Sequence, residues 1–296
     1  MAINIHPKAV VSKAAILEDG VSVGPYSVID DGVTLGKNVC VNAHAHVKGN
    51  TYIGEGSFIG SGAVLGEAPQ SVGATGGGKL RIGKNNIIRE YVTIHSSLSK
   101  DTSTILGDDN FLMIFSHIGH DCKIANNVIT CPGALVGGHV ELSDRVFISG
   151  GVAVHQFARI GRGAMISGLA RVNQDVPPFM LVVGDSRVWG INVLGAKRAK
   201  LNSSDLKELK KAYTIIYRKK LSITNALKEL ENSTSEVVKE IIIFILASKR
   251  GVCGPKRNSF LERMFLDYPY LLRSKLPAFK AFAKEEKLRK RLSCKR

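Results

Sequence analysis

The sequence predicts an all-β parallel β-helix followed by a small α-helical C-terminal domain, on three observations. Aliphatic residues recur every six positions as far as Val172. Two polar segments, near 66–81 and 95–105, interrupt this recurrence and are expected to protrude as loops. Beyond Pro177-Pro178 the six-residue step is lost, and apolar residues recur at three- and four-residue steps instead.

The six-residue repeat determines the architecture. A period of six fits neither an amphipathic helix, whose apolar face recurs at three and four, nor a long strand, whose period is two. It fits short strands joined by tight turns, in which three hexads close a triangular coil of 18 residues and roughly nine coils stack about 4.8 Å apart. Lys100 and Thr130 break the second series of the repeat. The aliphatic positions number 24: Val11, Leu17, Val23, Ile29, Leu35, Val41, Val47, Ile53, Ile59, Leu65, Ile82, Ile88, Ile94, Leu106, Leu112, Ile118, Ile124, Val136, Leu142, Ile148, Val154, Ile160, Ile166 and Val172.

The helical part begins after the double proline. Apolar residues follow the expected capping pair Ser203-Ser204 at helical spacing. Further helices are expected near 222–230 and 235–248. The residues of the first apolar face are Leu206, Leu209, Tyr213, Ile216 and Tyr217.

The chain is therefore expected to divide into a β-helix over 1–190, a helical domain over 191–255 and a basic extension over 256–296. The charge follows this division, since residues 1–192 contain 15 basic and 15 acidic side chains, whereas residues 193–296 contain 26 and 10. A basic end beside a neutral body favours an acidic partner, such as nucleic acid, an anionic membrane or an acidic carrier protein. A solvated, lysine-rich helical surface explains the same charge without a partner.

Composition also indicates the compartment. The five cysteines form no CxxC pair, so reduced thiols are expected rather than a disulfide framework or a zinc knuckle. The first residues lack the basic stretch and apolar run of a secretory signal. The longest aliphatic cluster, 241–247, is far shorter than the roughly 20 residues that cross a bilayer. We expect a cytoplasmic protein.

Stacking brings candidate catalytic groups together, because residues 18 apart take equivalent positions in adjacent coils. His120, Gly138 and Gln156 fall in one column, and Asp121 and His139 fall in the next. A histidine beside a carboxylate, with a glycine one coil away, suits general-base acyl transfer. The imidazole takes the proton of an attacking hydroxyl, the carboxylate fixes its tautomer, and the glycine N–H meets the oxyanion.

Five segments resemble a known family: Ser116–Cys122 (SHIGHDC), Gly137–Val140 (GGHV), Ala153–Phe157 (AVHQF), Gln174–Pro178 (QDVPP) and Ile88–His95 (IREYVTIH). In these motifs, collinear over about residues 4–252, the chain resembles the UDP-N-acetylglucosamine O-acyltransferases, the hexapeptide-repeat family that begins lipid A synthesis. The resemblance implies a homotrimer of left-handed β-helices. The left hand comes from the resemblance alone, since parallel crossovers are generally right-handed.

The resemblance also implies a site. By it, His120 is the general base, Asp121 orients it, and the Gly138 amide is the oxyanion donor. Gly168 lies where the family limits the depth of the acyl groove, so a glycine there implies room for a long chain. Substrate binding is implied for His117, His139, His155, Gln156, Asn192 and Arg198.

The implied substrates are a 3-hydroxyacyl group on acyl carrier protein, whose acidity suits the basic end, and a UDP-sugar. No cofactor, metal or nucleic acid is expected. The sequence 256–296 holds 13 basic and 4 acidic side chains, which suits an amphipathic segment on anionic lipid or on carrier protein, and equally a solvated tail. Peripheral membrane contact through this tail is thus one expectation.

The chain departs from the family pattern in the first loop. The family has an Asp-Leu-Lys run after a Pro-Gln pair, whereas Pro69-Gln70 is followed here by Ser71-Val72-Gly73. The missing Asp and Lys have no counterpart unless Lys79 substitutes for the lysine. Ala199 also replaces the second arginine of a Lys-Arg-Arg run. The acceptor is therefore left open between UDP-N-acetylglucosamine and its 3-amino analogue.

Other classes of function remain open. The four histidines His117, His120, His139 and His155 are dense enough for a metal site like that of the γ-class carbonic anhydrases, so a zinc hydratase is one alternative. The same histidines also suit a purely structural place in polar corners. A second alternative function is that of a catalytically silent scaffold that binds carrier protein through its basic end.

Overall fold

A computed structural model describes residues 2–74 and 77–255, and over these the chain winds into a parallel β-helix with three faces. Sheet A contains Asn4–Ile5, Ser22–Val23, Cys40–Val41, Phe58–Ile59, Ile87–Ile88, Phe111–Leu112, Ile129–Thr130, Phe147–Ile148, Met165–Ile166, Met180–Val183, Arg187–Ile191 and Gly254–Pro255. Sheet B contains Val10–Val11, Val28–Ile29, His46–Val47, Val64–Glu67, Thr93–His95, His117–Ile118, Leu135–Val136, Ala153–Val154 and Arg171–Val172. Sheet C contains Ile16–Leu17, Thr34–Leu35, Asn50–Ile53, Lys79–Ile82, Ser103–Leu106, Lys123–Ile124, Glu141–Leu142 and Arg159–Ile160.

The core is a column of aliphatic side chains, one from the second residue of each two-residue strand. Ile118 pairs with Val136 and Leu142 with Ile160, each 18 residues on. Such side chains are at most 3% exposed from Val23 onward. The polar exception, Thr130, is fully buried and donates to Ser116 Oγ at 3.0 Å, so its hydroxyl is satisfied inside the coil.

The corners between sheets place one residue in the left-handed region of backbone space. Asp121, His139 and Phe157 follow one another in a single corner column, with φ of 57°, 59° and 64°. A non-glycine residue here costs conformational energy that the surrounding coil must offset. The rings of His139 and Phe157 stack with centroids 4.5 Å apart, so packing between coils supports this corner.

The two protruding segments are shorter than the sequence predicts. The strand Val64–Glu67 extends into the first and Lys79–Ile82 ends it. In the same way, Thr93–His95 and Ser103–Leu106 border the second. We call residues 68–78 the first loop and residues 96–102 the second loop. Lys100, which breaks the repeat, lies in the second loop.

Four helices follow the β-helix: α1 Val193–Arg198, α2 Ser203–Tyr217, α3 Ile223–Leu230 and α4 Glu236–Leu246. The expected capping pair Ser203-Ser204 is wrong, because the N-cap of α2 is Asn202, whose side chain accepts from Asp205 N–H while the Asp205 carboxylate accepts from Asn202 N–H. Helix α1 was not expected, since its six residues are too few for a periodic signal.

An ion pair joins α4 to the coil. Glu240 on α4 accepts from both Nε and Nη2 of Arg162, at 3.0 and 2.6 Å.

In the described part of the chain, no helix is both long and apolar enough to cross a membrane. The division into 1–190 and 191–255 stays a prediction, and the basic extension 256–296 lies outside the described residues.

Candidate active site

The predicted dyad forms at a corner of the coil. His120 Nδ1 lies 2.9 Å from Asp121 Oδ2, and the two side chains are only 14% and 11% exposed. Burial opposes the charge on Asp121, but hydrogen bonds from His120, from the Leu98 amide and from the Thr102 hydroxyl outweigh it and lower the pKa of this carboxyl. An ionised Asp121 accepts the Nδ1 proton of His120, which leaves Nε2 unprotonated and able to act as a base.

Gly138 lies directly over the free nitrogen. A Cβ atom at this position would come within 2.6 Å of His120 Nε2 and 2.7 Å of Cε1. The backbone at 138 therefore approaches the imidazole as closely as only glycine allows. In the described residues, the Gly138 N–H has no recorded acceptor.

A cavity of about 370 Å³ opens beside the dyad. It is lined by Gln70, His95, His117, Gly119, His120, Gly137, Gly138, Val154, His155 and Gln156. Burial, with nearby His95 and His120, lowers the pKa of His117 to about 4, and burial lowers that of His95 as well. These two imidazoles are therefore neutral near pH 7 and offer hydrogen bonds rather than charge.

Neighbouring groups set the orientation of the histidines. Thr93 Oγ1 lies 2.8 Å from His117 Nδ1. His139 lies behind the cavity, with Nε2 3.9 Å from Asp121 Oδ2. Arg250, from the segment after α4, donates Nη1 to the Gln156 carbonyl and Nε to the Asn173 carbonyl at 3.1 Å, and its Nη2 lies 3.3 Å from His155 Nδ1.

The remaining predicted residues do not reach this cavity within one chain. Asn192 and Arg198 line a second cavity of about 450 Å³ on the outer face of sheet A. The Asn192 side chain also caps α1, accepting from Gly195 N–H and donating to the Gly163 carbonyl, both at 2.9 Å. Gly168 lies in the corner at the other edge of sheet B, where an added Cβ would meet only the Gly150 carbonyl, at 3.6 Å.

The four-histidine metal site is not assembled within the described chain. The group whose ligand atoms lie within 4.8 Å of one another is His120, Asp121 and His139. Asp121 in this trio already accepts hydrogen bonds from His120, Leu98 and Thr102. A cation here would have to displace the His120–Asp121 hydrogen bond.

Three contributors to the site are not predicted from the sequence. His95 and Gln70 lie in motifs that assign them no role, and the 18-residue rule does not place His95. The reason is the second loop, since Thr93 pairs with His117 across 24 residues. The spacing between neighbouring strands would have located His95 if the loop length had been subtracted. No local pattern marks Arg250, which is 94 residues beyond Gln156.

Comparisons with known proteins agree with the fold. A family model described as UDP N-acetylglucosamine O-acyltransferase, domain 2, matches residues 175–253, and bacterial transferase hexapeptide repeats match 32–67 and 103–138. An acyl-[acyl-carrier-protein]–UDP-N-acetylglucosamine O-acyltransferase of Campylobacter concisus is 37% identical over 84% of this chain and 97% of its own length. Its counterpart in Thermodesulfovibrio yellowstonii is 41% identical over 84% and 98%.

Solved structures of the same family also resemble this chain. The UDP-N-acetylglucosamine acyltransferase of Francisella novicida superposes with a TM-score of 0.82 at 34% identity, covering 86% of this chain and 95% of its own. That of Campylobacter jejuni gives 0.81 at 34%, covering 86% and 100%. The prediction of an all-β left-handed parallel β-helix followed by a small helical domain is confirmed.

Proposed function

Since the chain belongs to the UDP-N-acetylglucosamine O-acyltransferase family, we propose that it moves a 3-hydroxyacyl chain from acyl carrier protein to the 3-position of UDP-N-acetylglucosamine, the first step of lipid A biosynthesis. The observation that carries the mechanism is the His120–Asp121 dyad with Nε2 directly under the backbone of Gly138. Sequence relatives support the reaction, and the geometry supports the assignment of these residues to it.

The reaction uses the dyad twice. His120 Nε2 takes the proton of the sugar 3-hydroxyl as its oxygen attacks the thioester carbonyl, and Asp121 stabilises the imidazolium. The carbonyl oxygen becomes an oxyanion within reach of the Gly138 N–H. As the carbon–sulfur bond breaks, the imidazolium returns the proton to the leaving thiol of the carrier, so the base is regenerated.

A homotrimer completes the site in this proposal. The outer face of sheet A is apolar, whereas that of sheet C carries charges such as Lys123 and Glu141. An apolar face on an exposed sheet favours burial against another copy. The second cavity, with Asn192 and Arg198, opens on this same face. The outward residues of sheet A include Phe58, Ile87, Phe111, Ile129, Phe147 and Met165.

Packing sheet A of one copy against sheet B of its neighbour would bring Arg198 of one chain to the histidine cavity of the next. Arg198 is the basic residue in the last turn of α1, and a guanidinium at the edge of the cavity suits the diphosphate of a UDP-sugar. His155 and Gln156 then face the nucleotide from the other side.

The acceptor atom and the acyl length are set at different places, the first in the cavity and the second at the other edge of sheet B. Gln70 lines it, but the first loop supplies no carboxylate, so the 3-hydroxyl and 3-amino sugars are both accommodated by what is present. Gly168 leaves space beyond sheet B for a long acyl chain. The acyl carrier protein is acidic, and the basic C-terminal third favours its approach in the cytoplasm.

Mass spectrometry tests the reaction. Purified protein, with 3-hydroxyacyl carrier proteins of several lengths and each of the two sugar nucleotides, is expected to yield a singly acylated nucleotide. An ester identifies the 3-hydroxyl sugar as acceptor and an amide the 3-amino sugar. Carrier binding without any acylated product would instead support the silent scaffold, and the transfer mechanism would be wrong.

Mixed trimers test the shared site. His120→Ala and Arg198→Ala each remove one half of the proposed site, so neither variant alone should be active. Refolding them together forms some trimers in which an intact His120 faces an intact Arg198, and activity should return. Failure of the mixture to recover activity, while mixing with wild-type chains does so, would contradict a site shared between subunits.

A further inference from the structure

We propose that the turn 97–102 in the second loop is a positioning element for the catalytic dyad, with Thr102 as its essential side chain. This inference rests on the proposed function, because it assigns the turn a role in acyl transfer. The sequence predicts only that the second loop protrudes from the coil. In the structure its polar groups face Asp121.

Two donors of this turn bind the two carboxylate oxygens of Asp121. The Leu98 N–H donates to Oδ2 at 3.0 Å, and Thr102 Oγ1 donates to Oδ1 at 3.1 Å. His120 Nδ1 shares Oδ2 with the Leu98 amide. A third contact orients the backbone, since Asp121 N–H donates to Thr104 Oγ1 at 2.8 Å. The carboxylate is therefore held through both of its oxygens, with Oδ2 against the imidazole.

The turn itself is anchored by a buried serine. Ser97 is fully buried, its Oγ accepts from Lys79 N–H at 3.0 Å, and it donates to the Thr102 carbonyl at 2.7 Å. Thr102 N–H closes the turn on the Ser99 carbonyl at 3.2 Å. Gly78, at the end of the first loop, packs so closely on Ser97 that a Cβ atom would clash with the Ser97 carbonyl.

The charges around Asp121 make these two donors important. The ionisable groups that face its carboxylate are the imidazoles of His120 and His139. Lys100, at the tip of the turn, lies against Gly77 instead. No arginine or lysine contacts Asp121 in the described residues, so, besides a smaller electrostatic effect of His139, its burial is offset by the hydrogen bonds from His120, Leu98 and Thr102. Losing one of them loosens the carboxylate and, through it, the tautomer and direction of His120.

The expected effect is confined to the chemical step. Thr102 is exposed and makes no contact with the cavity, so Thr102→Ala should lower kcat by about 10-fold while leaving the KM for the sugar nucleotide within about twofold. Thr102→Ser keeps the hydroxyl and should restore most of the rate. Thr214→Ala is the matched control, because this exposed threonine donates its hydroxyl to the Lys210 carbonyl within α2 and lines neither cavity, so its loss should leave kcat unchanged.

A double-mutant cycle separates positioning from general structural damage. If Thr102 acts through Asp121, its removal should cost nothing further in an Asp121→Ala background. Gly78→Ala gives a second approach, because displacing Ser97 should reproduce the kcat loss with Thr102 intact. A tenfold loss for Thr102→Ala that persists in the Asp121→Ala background would overturn the proposal, as would wild-type turnover by Thr102→Ala.

A readout without substrate keeps this inference distinct from the proposed function. In an NMR titration of the Asp121 carboxyl, Thr102→Ala should raise its pKa and Thr102→Ser should not. An unchanged titration would refute the positioning role even if the enzyme acylates sugars. Wild-type protein that yields no product would refute the proposed reaction, whereas the titration would still decide whether the turn controls the dyad.

Discussion

Replacing Gly138 with alanine would place a methyl group where the His120 ring now lies. The new Cβ would be 2.6 Å from Nε2, 2.7 Å from Cε1 and 3.1 Å from Cδ2, against an ordinary contact of about 3.5–4.0 Å. The ring must therefore retreat by about 1 Å. Misplacement of a catalytic group by about this distance costs roughly 10²-fold, and shielding of the 138 amide adds to the loss. We expect kcat to fall about 10²–10³-fold.

The assay compares Gly138→Ala with Gly190→Ala in acyl transfer followed by mass spectrometry. At Gly190 an added Cβ meets nothing within 4 Å, so this control should retain full activity. Circular dichroism should show the same β-helix in both variants, because position 138 does not require a positive φ. A folded Gly138→Ala enzyme with kcat within threefold of wild type would refute the close approach of backbone and base.

Three further predictions concern the groups around the dyad. Because the pKa of His117 falls from 6.5 unfolded to about 4 folded, the unfolded chain binds more protons between these values, and the free energy of unfolding should decrease as pH falls from 6.5 to 4. Urea titrations should show a smaller decrease for His117→Asn, and an equal one would contradict the burial of a neutral imidazole. Arg250→Ala should raise the KM for the sugar nucleotide several-fold, whereas Lys249→Ala should leave it unchanged. If steady-state kinetics gave the same KM for both variants, Arg250 would not support His155. Gly168→Met should shift the preferred acyl chain to a shorter one in a competition between carrier proteins, and an unaltered preference would remove position 168 from the groove.

The repeat could be predicted from sequence because each hexad buries its aliphatic residue against near neighbours. The rule is local, so it works wherever the spacing of 18 holds, and it brought His120 and Gly138 together without any other information. Val11 and Leu17 follow the repeat but are only partly buried, because the first coils have no coil beneath them. The corner conformation of Asp121 also follows from the repeat.

The rest of the site depends on contacts that no period encodes. The second loop changes the spacing between strands, which hid the position of His95, and its donors to Asp121 are a backbone amide and a threonine in a polar stretch. Arg250 reaches the coil through tertiary packing of the helices. Asn192 and Arg198 line the other cavity of their own chain, and in the proposed trimer their role depends on a second copy that the sequence of one chain does not place.

Measured turnover of His120→Ala beside His44→Ala tests the central claim most directly. Both positions are coil corners, and His44 stacks on Tyr26 and does not line the cavity, so its loss should leave the rate unchanged. Removing His120 should lower kcat by about 10²–10⁴-fold with the fold intact. Acylated nucleotide formed at the wild-type rate by His120→Ala would contradict the account.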